Sequence, residues 1–183
     1  MRKLIAAINM TLDGFCDHTV ITPDEEIHQH YTNLLANAGL ILYGKTTYQL
    51  MQFWQTVLTN PSDEKSMNDF ARAIDRIPKL VFSHTLKTTD WNSAELAGQS
   101  LEEVVREQRQ LPGKDILVGS RSLILQLMQR NLIDEYQLCV HPVVAGSGLP
   151  LFENINRRTV FNRIKTKQFA GGAVLLYYAP ATK

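Results

Sequence analysis

Leu40-Ile41-Leu42-Tyr43-Gly44-Lys45-Thr46-Thr47 runs from four apolar residues through a glycine into basic and hydroxyl residues, and a helix pattern follows. The pattern returns as Ile116-Leu117-Val118-Gly119-Ser120-Arg121-Ser122-Leu123 and, without the glycine, as Leu80-Val81-Phe82-Ser83-His84-Thr85. A buried strand that ends on glycine lets the backbone come close to a ligand, and the next helix presents unpaired N–H groups there. Because Lys45 and Arg121 add positive charge, the pattern favours a phosphate-rich ligand.

Residues 39–46 also match G-x-x-x-x-G-K-[ST], the pattern of phosphate-binding loops. Such a loop needs its middle residues in an anion-cradling turn, whereas residues 40–43 are apolar and typical of a core strand. Gly39 is then predicted to be the C-terminal cap of the preceding helix. The sequence therefore argues against a kinase or an ATPase.

A chain of 183 residues is long enough to bury a core as one domain, residues 1–183, without disulfides or structural metal. The net charge of +1, with acids and bases interspersed, predicts no nucleic-acid partner and no membrane contact. Residues 1–8 are predicted to be a first strand rather than a signal peptide. Cys16 and Cys139 lie far apart, which favours a reduced, cytoplasmic setting. The expected partner is a small-molecule substrate.

Strand and helix patterns alternate almost throughout, which predicts an α/β protein with a largely parallel sheet covered on both faces. The predicted strands cover residues 3–9, 40–43, 79–82, 115–118, 135–140, 159–168 and 173–179. The predicted helices cover residues 23–37, 46–52, 64–75, 100–110 and 121–130. Ala170-Gly171-Gly172-Ala173 has the composition of a hairpin turn, so the last two strands should form a C-terminal antiparallel hairpin. Residues 59–63 are a predicted surface loop.

Four strand ends follow one another in a particular order. Met10-Thr11-Leu12-Asp13-Gly14 comes first, then Gly44-Lys45-Thr46-Thr47, then Ser83-His84-Thr85 and, after a later strand, Gly119-Ser120. The series resembles the dihydrofolate-reductase-like superfamily, specifically the reductase domain at the C-terminus of bifunctional riboflavin-biosynthesis deaminase-reductases and its stand-alone relatives. The likeness covers nearly the whole chain and is most specific from Asp115 to Phe152. It implies a three-layer αβα fold with a mixed sheet, NADPH as hydride donor and a homodimer.

The resemblance also assigns cofactor contacts to the strand ends. Lys45 and Thr47 resemble the cation and hydroxyl that meet the phosphates, and Ser83 with His84 resembles the pair near the adenosine 2′-phosphate. The predicted cofactor-binding residues are Gly44, Lys45, Thr46, Thr47, Ser83, His84, Gly119, Ser120, Arg121, Ser122 and Leu123. Ser83 could instead cap the next turn, and His84 could be a solvated loop residue. Arg121 stands where the family usually has a small residue. Its side chain either reaches a phosphate of the cofactor or obstructs the close approach of the cofactor to the backbone.

The predicted catalytic residues are Asp13, Glu26 and His28. Folate reductases carry a carboxylate on the first helix for substrate binding and proton delivery, and counting back from the Gly-Lys-Thr turn puts His28 in that place with Glu26 near it. Asp13 follows the first strand, in the loop that overhangs the nicotinamide in the inferred fold. Glu25 or Glu26 would restore an acid if the helix register differed by one turn. Because a pterin's guanidine-like edge wants a carboxylate, His28 argues against dihydrofolate as the physiological substrate.

The remaining histidines favour structural interpretations. His28 and His30 are two apart on a helix and project to nearly opposite faces, so no metal site is predicted. His141 precedes Pro142 at a strand end and is predicted to be a packed or dimer-contact histidine.

Two functions remain open from the sequence. The first is an NADPH-dependent reductase that transfers hydride to a small heterocyclic or carbonyl substrate, with a pterin or a riboflavin-precursor-like pyrimidine as candidates. The chain lacks the H-x-E and P-C-x-x-C signature of a zinc deaminase, so no deaminase half is expected. The alternative is a dimeric nucleotide-binding or regulatory module that keeps the reductase fold but has lost hydride transfer.

Overall fold

The computed structural model describes residues 1–155 and 158–181, and these form one eight-stranded sheet with helices on both faces. In chain order the elements are β1 (Leu4–Thr11), α1 (Glu25–Ala36), β2 (Ala38–Gly44), α2 (Lys45–Met51), α3 (Phe53–Thr59), α4 (Lys65–Arg76), β3 (Lys79–Phe82), β4 (Ala94–Leu96), α5 (Leu101–Gln110), β5 (Asp115–Val118), α6 (Arg121–Gln129), β6 (Glu135–His141), β7 (Phe161–Gln168) and β8 (Val174–Pro180). The strand order is β4-β3-β2-β5-β1-β6-β8-β7. β1 to β6 run parallel, and β8 and β7 complete the sheet in antiparallel pairs.

Two helical layers cover the sheet. Leu4 of β1 packs with buried residues of α5 and α6, whereas its neighbour Ile5 packs with buried residues of α1, α2 and α4. This division follows from the alternation of side chains along a strand. The helical members are Leu101, Val105, Leu123, Ile124 and Leu127 in the first cluster, and Leu35, Tyr48 and Ile74 in the second. The three-layer αβα fold with a mixed, mostly parallel sheet and a C-terminal hairpin is therefore confirmed.

Gly39 is one position where the prediction was wrong. Asn37 is the C-terminal cap of α1, and Gly39 lies inside β2. A Cβ at residue 39 would lie 3.0 Å from Arg2 Nη2 and 3.2 Å from the Lys114 carbonyl oxygen. Glycine therefore lets the start of β2 pack closely against these neighbours. Residues 40–43 are buried in the strand, which contradicts a phosphate-binding loop.

Two short elements were not predicted. β4 has only three residues, and α3 begins without a side-chain hydrogen bond at its N-terminal cap, so neither has a clear start signal in the sequence. Thr59, predicted to begin a surface loop, is the last residue of α3. No helix in the described part of the chain is long and apolar enough to cross a membrane.

The edge at the carboxyl ends of the parallel strands contains the topological switch point of the sheet. From β1 the chain crosses by α1 to β2 on one side, whereas from β5 it crosses by α6 to β6 on the other. In open α/β sheets, ligands bind in the crevice outside such a point. β1 pairs with β5 only as far as Ala6 and Val118, but with β6 as far as Thr11 and His141. We call this step, between the end of β5 and the protruding residues 7–11 of β1, the edge notch.

Candidate functional site

The glycine-containing strand ends lie together beside the edge notch. The Gly44 amide after β2 donates a buried hydrogen bond to Ser120 Oγ after β5, at 2.8 Å. Lys45 Nζ, at the start of α2, donates to Thr85 Oγ1 in the loop after β3, at 2.8 Å. Three segments far apart in the sequence therefore meet at one edge of the sheet.

The first turns of α2 and α6 provide hydrogen-bond donors at this edge. Gly44 has no side chain to cap α2, and the Ser120 hydroxyl accepts from Gly44 instead of capping α6. The first-turn amides of both helices therefore have no side-chain cap, and such amides favour anions. The exposed hydroxyl-bearing residues Thr46 and Ser122 lie in the same turns. Amides, hydroxyls and the Lys45 ammonium form a donor set that suits a dinucleotide's phosphates.

Arg121 contacts two residues of the segment that follows β6, and its predicted relation to a phosphate stays a prediction. Its Nε donates to the Pro150 carbonyl, and its guanidinium forms an ion pair with Glu153. The side chain is only 16% exposed. Arg121 therefore fastens the segment that follows β6 to the start of α6.

Asp13 connects two loops that border the edge notch. Its carboxylate accepts hydrogen bonds from the Thr11 hydroxyl, from the Gly146 amide at 2.7 Å and from the Ala145 amide at 3.1 Å. The bond from Thr11 and those from the two amides lower the pKa of Asp13 to about 2. The carboxyl is therefore ionised at neutral pH, when it accepts hydrogen bonds and holds no proton to deliver.

Backbone hydrogen bonds extend the contact between these loops. The Leu12 amide donates to Val143, the Cys16 amide donates to Leu149, and the Leu151 amide donates to Gly14. Residues 11–16 and 143–151 therefore form a paired border along one side of the edge notch.

The loop after β3 contains a capped turn. Ser83 Oγ accepts from the Thr85 amide at 3.1 Å and from the Leu86 amide at 3.0 Å, which is the capping role left open from the sequence. His84 is exposed. Contacts of Ser83 and His84 with a 2′-phosphate stay a prediction.

Glu26 and His28 on α1 contact other parts of the protein. The Glu26 carboxylate accepts from the Ala170 amide at 2.7 Å, which ties α1 to the β7–β8 turn. The His28 ring packs edge-on against Trp54, with centroids 5.7 Å apart, and lies near Phe70. Burial lowers the pKa of His28, so its neutral form is favoured. The predicted catalytic roles of both residues stay predictions.

His141 is a residue whose significance the sequence did not reveal. It lies in the wall of a pocket of about 260 Å³ between the start of α1, the end of β6 and the β7–β8 turn. The pocket is lined by Val20, Ile21, Thr22, Asp24, Ile27, His141, Pro142, Val143, Gly171 and Ala173. Because these residues come from three separate segments, no local motif marks the pocket.

A family model for the RibD C-terminal domain matches residues 2–175 of this chain. The uncharacterized protein YyaP of Bacillus subtilis (strain 168) is 31% identical over 185 aligned residues, covering 97% of this chain and 94% of YyaP.

Solved structures share the fold. A Shewanella sp. PV-4 protein ascribed to riboflavin biosynthesis matches with a TM-score of 0.71 at 19% identity, covering 97% of this chain and 98% of that one. A diaminohydroxyphosphoribosylaminopyrimidine deaminase/5-amino-6-(5-phosphoribosylamino)uracil reductase from Thermotoga maritima matches with a TM-score of 0.64 at 15% identity, covering 98% of this chain and 57% of that one. Because the family model spans almost the whole sequence, this chain belongs to the RibD C-terminal domain family.

Proposed function

We propose that the protein is an NADPH-dependent reductase that transfers hydride to a small heterocyclic or carbonyl substrate, with a riboflavin-precursor-like pyrimidine or a pterin as candidates. The observation that carries the proposal is the meeting of Gly44 and Ser120 beside the edge notch, since it joins two uncapped helix starts at the switch point. Membership of the RibD C-terminal domain family supports it, as does the reductase activity in the name of the Thermotoga maritima relative.

The cofactor would lie across the ends of β1, β5, β2 and β3. The first turns of α2 and α6 would hold the pyrophosphate, and Lys45 would meet the 2′-phosphate together with the Ser83–His84 turn. The other proposed contacts are Gly44, Thr46, Thr47, Gly119, Ser120, Ser122 and Leu123. Arg121 acts as a positioning residue, because its guanidinium is already bound to Pro150 and Glu153.

The chemistry that a reduced nicotinamide supplies is a hydride, given to an electrophilic carbon of the substrate. The chain's own part is to orient the reactants, exclude water and supply one proton. The paired border of residues 11–16 and 143–151 would shield the reacting atoms from solvent. In this role Asp13 holds the border together rather than delivering the proton.

The proposed assembly is a cytoplasmic homodimer. β7 is the outer strand of the sheet, and seven of its eight residues are exposed, so its free edge is available to a second copy. Cys16 and Cys139 are free thiols, which agrees with a reducing compartment. Sedimentation of the purified protein measures the oligomeric state.

The second candidate is a nucleotide-binding or regulatory module without hydride transfer. It is favoured by one observation: Asp13, Glu26 and His28 all contact other parts of the protein.

The two candidates differ in whether cofactor is consumed. Purified protein is mixed with NADPH and a panel of pyrimidine ribitols, pterins and small ketones, and the loss of reduced-nicotinamide absorbance is followed. The reductase oxidises NADPH with at least one class of compound. NADPH binding without oxidation by any of them would favour the regulatory module.

A further inference from the structure

A buried polar chain leads from α1 to the pocket beside β6. His141 is the last residue of β6 and is 5% exposed. Its Nε2 lies 3.0 Å from Asn9 Oδ1, and the same oxygen accepts from the Tyr31 hydroxyl at 3.2 Å. With Asn9 Oδ1 as the acceptor, the hydrogen of the neutral imidazole lies on Nε2, which also lies 3.7 Å from Cys139 Sγ.

The other ring nitrogen of His141 is available to a ligand. Among the described residues, Nδ1 has no hydrogen-bond partner, yet it is not one of the buried polar atoms sealed from solvent. His141 is one of the residues that line the 260 Å³ pocket, where Ile21 and Ile27 provide apolar surface. Nδ1 is therefore the ring nitrogen of His141 that Asn9 leaves without a partner among the described residues.

The protruding part of β1 lies between the pocket and the proposed cofactor site. His141 pairs with Thr11 on the protruding part of β1, and Asn9 lies on the same protruding part. β1 thus separates the end of β5, where the nicotinamide is proposed, from the end of β6 and its pocket.

We propose that the substrate occupies this pocket and that His141 Nδ1 delivers the proton of the reduction, with Asn9 and Tyr31 as positioning residues that fix the tautomer. The inference rests on the proposed reductase function.

The proposed step balances in electrons and protons. When the carbon of a C=N or C=O bond accepts a hydride, the π electron pair moves to the nitrogen or oxygen. That atom takes the proton from Nδ1 of the imidazolium, which returns to its neutral Nε2–H form. Nδ1 then takes its next proton from solvent.

Burial and a nearby carboxylate act on the pKa of His141 in opposite directions. Burial lowers the pKa of His141, and the Asp24 carboxylate in the same pocket opposes that shift. Burial raises the pKa of Tyr31 and of Cys139, so both stay neutral near neutral pH. Lys167 opposes the shift in the pKa of Cys139, and the Glu26 carboxylate binds the Ala170 amide in the turn that lines the pocket. The imidazole is therefore neutral at rest, and its protonated fraction falls as pH rises.

The first test measures the tautomer and the protonation of the His141 ring and needs no catalytic turnover. Nitrogen NMR of the protein over its folded pH range should show the Nε2–H tautomer and protonation at Nδ1 with a pKa below 6.5. Asn9→Leu should remove the tautomer preference. A Nδ1–H tautomer, or a ring that does not titrate, overturns the proposal.

The second test compares variants in the complete protein. His141→Gln keeps an N–H group that can face Asn9 but cannot serve as an acid. The rate of reduction should therefore fall by about 100-fold or more, and the rate of the variant should no longer decrease as pH rises. NADPH affinity by calorimetry should stay unchanged. Tyr31→Phe should shift the pH profile with a smaller loss of rate.

The outcomes separate this inference from the reductase proposal. If NADPH binds and is oxidised but His141→Gln retains the rate and pH profile, His141 is not the donor and the reductase proposal stands. If NADPH does not bind, the reductase proposal fails and takes this inference with it. If NADPH binds but no compound is reduced, the NMR experiment tests the inference by itself. The Nε2–H tautomer with protonation at Nδ1 supports it, and a Nδ1–H tautomer overturns it.

Discussion

The buried Gly44 amide donates its hydrogen bond to the Ser120 hydroxyl across 76 residues of sequence. This single contact joins the two glycine-containing strand ends and leaves the start of α6 without a side-chain cap. Because the Ser120 hydroxyl accepts from the buried Gly44 amide, the first-turn amides of α6 remain available to a ligand.

Ser120→Ala should destabilise the protein by about 1–3 kcal/mol, because the Gly44 amide loses its acceptor while remaining buried. Urea unfolding measures the change. Ser122→Ala removes an exposed hydroxyl two residues away and should change stability by less than about 0.5 kcal/mol. Equal effects of the two substitutions would contradict the role given to Ser120.

Gly171→Ala should disturb the start of α1. A methyl group at residue 171 would overlap Asp24 Oδ2, while Asp24 Oδ1 accepts from the Ile27 amide at 2.9 Å as the N-terminal cap. Displacing the cap should cost about 1 kcal/mol in thermal or urea unfolding. In an Asp24→Ala background the same substitution should cost much less, because the overlapping oxygen is gone. Additive losses would show that the two residues act independently.

Lys79 should make a contribution to the free energy of unfolding that increases with pH in the alkaline range. Its ammonium is buried and donates to the carbonyls of Asp75 and Ile77 and to Ser93 Oγ, and burial lowers its pKa from 10.5 to about 8. Between pH 8 and 10.5 the unfolded chain binds more protons at this residue than the folded one, so the contribution of Lys79 to stability rises with pH.

The Lys79 contribution is isolated by comparison with Lys79→Met. The free energy of unfolding of the native protein minus that of the variant should grow through this interval, by about 1.4 kcal/mol for each unit of pKa shift. A difference that stays constant with pH would exclude the lowered pKa.

Asp13 should protect the amides of the loop after β6. Asp13→Asn should speed hydrogen exchange at Ala145 and Gly146, whose N–H groups bind the carboxylate. Because the folded pKa of about 2 lies below the usual 3.8, protection in the native protein should hold above pH 3.8 and fade as pH falls toward 2. Asp17→Asn is the control, since that carboxylate accepts hydrogen bonds from Thr19, two residues away. If hydrogen exchange at Ala145 and Gly146 is unchanged in Asp13→Asn, Asp13 does not hold the two loops together.

The sequence predicted the alternation of strands and helices because each element has a periodic apolar pattern of sufficient length. It did not predict α3 or β4, where a missing cap and a three-residue strand leave no such pattern. Strand order was also not predicted, since β2 and β5 become neighbours only through crossovers.

The candidate site divides in the same way. Local pattern identified the glycine-containing ends at Gly44 and Gly119, and their meeting supports that interpretation. The partner of Arg121 is Glu153, 32 positions later, and the pocket at His141 forms only when three segments meet. Contacts of this kind depend on tertiary packing, so spacing along the chain does not indicate them.

Calorimetric titration of NADPH and NADH into the native protein and Lys45→Ala tests the proposed cofactor site most directly, with Lys114→Ala as a charge-matched control at the opposite edge of the sheet. We expect NADPH to bind the native protein more tightly than millimolar. Lys45→Ala should weaken NADPH by about tenfold or more and NADH much less, because the lost ammonium would meet the 2′-phosphate. Lys114→Ala should leave both affinities unchanged. Failure of the native protein to bind NADPH or NADP⁺, or equal losses for both reduced cofactors in Lys45→Ala, would contradict the account.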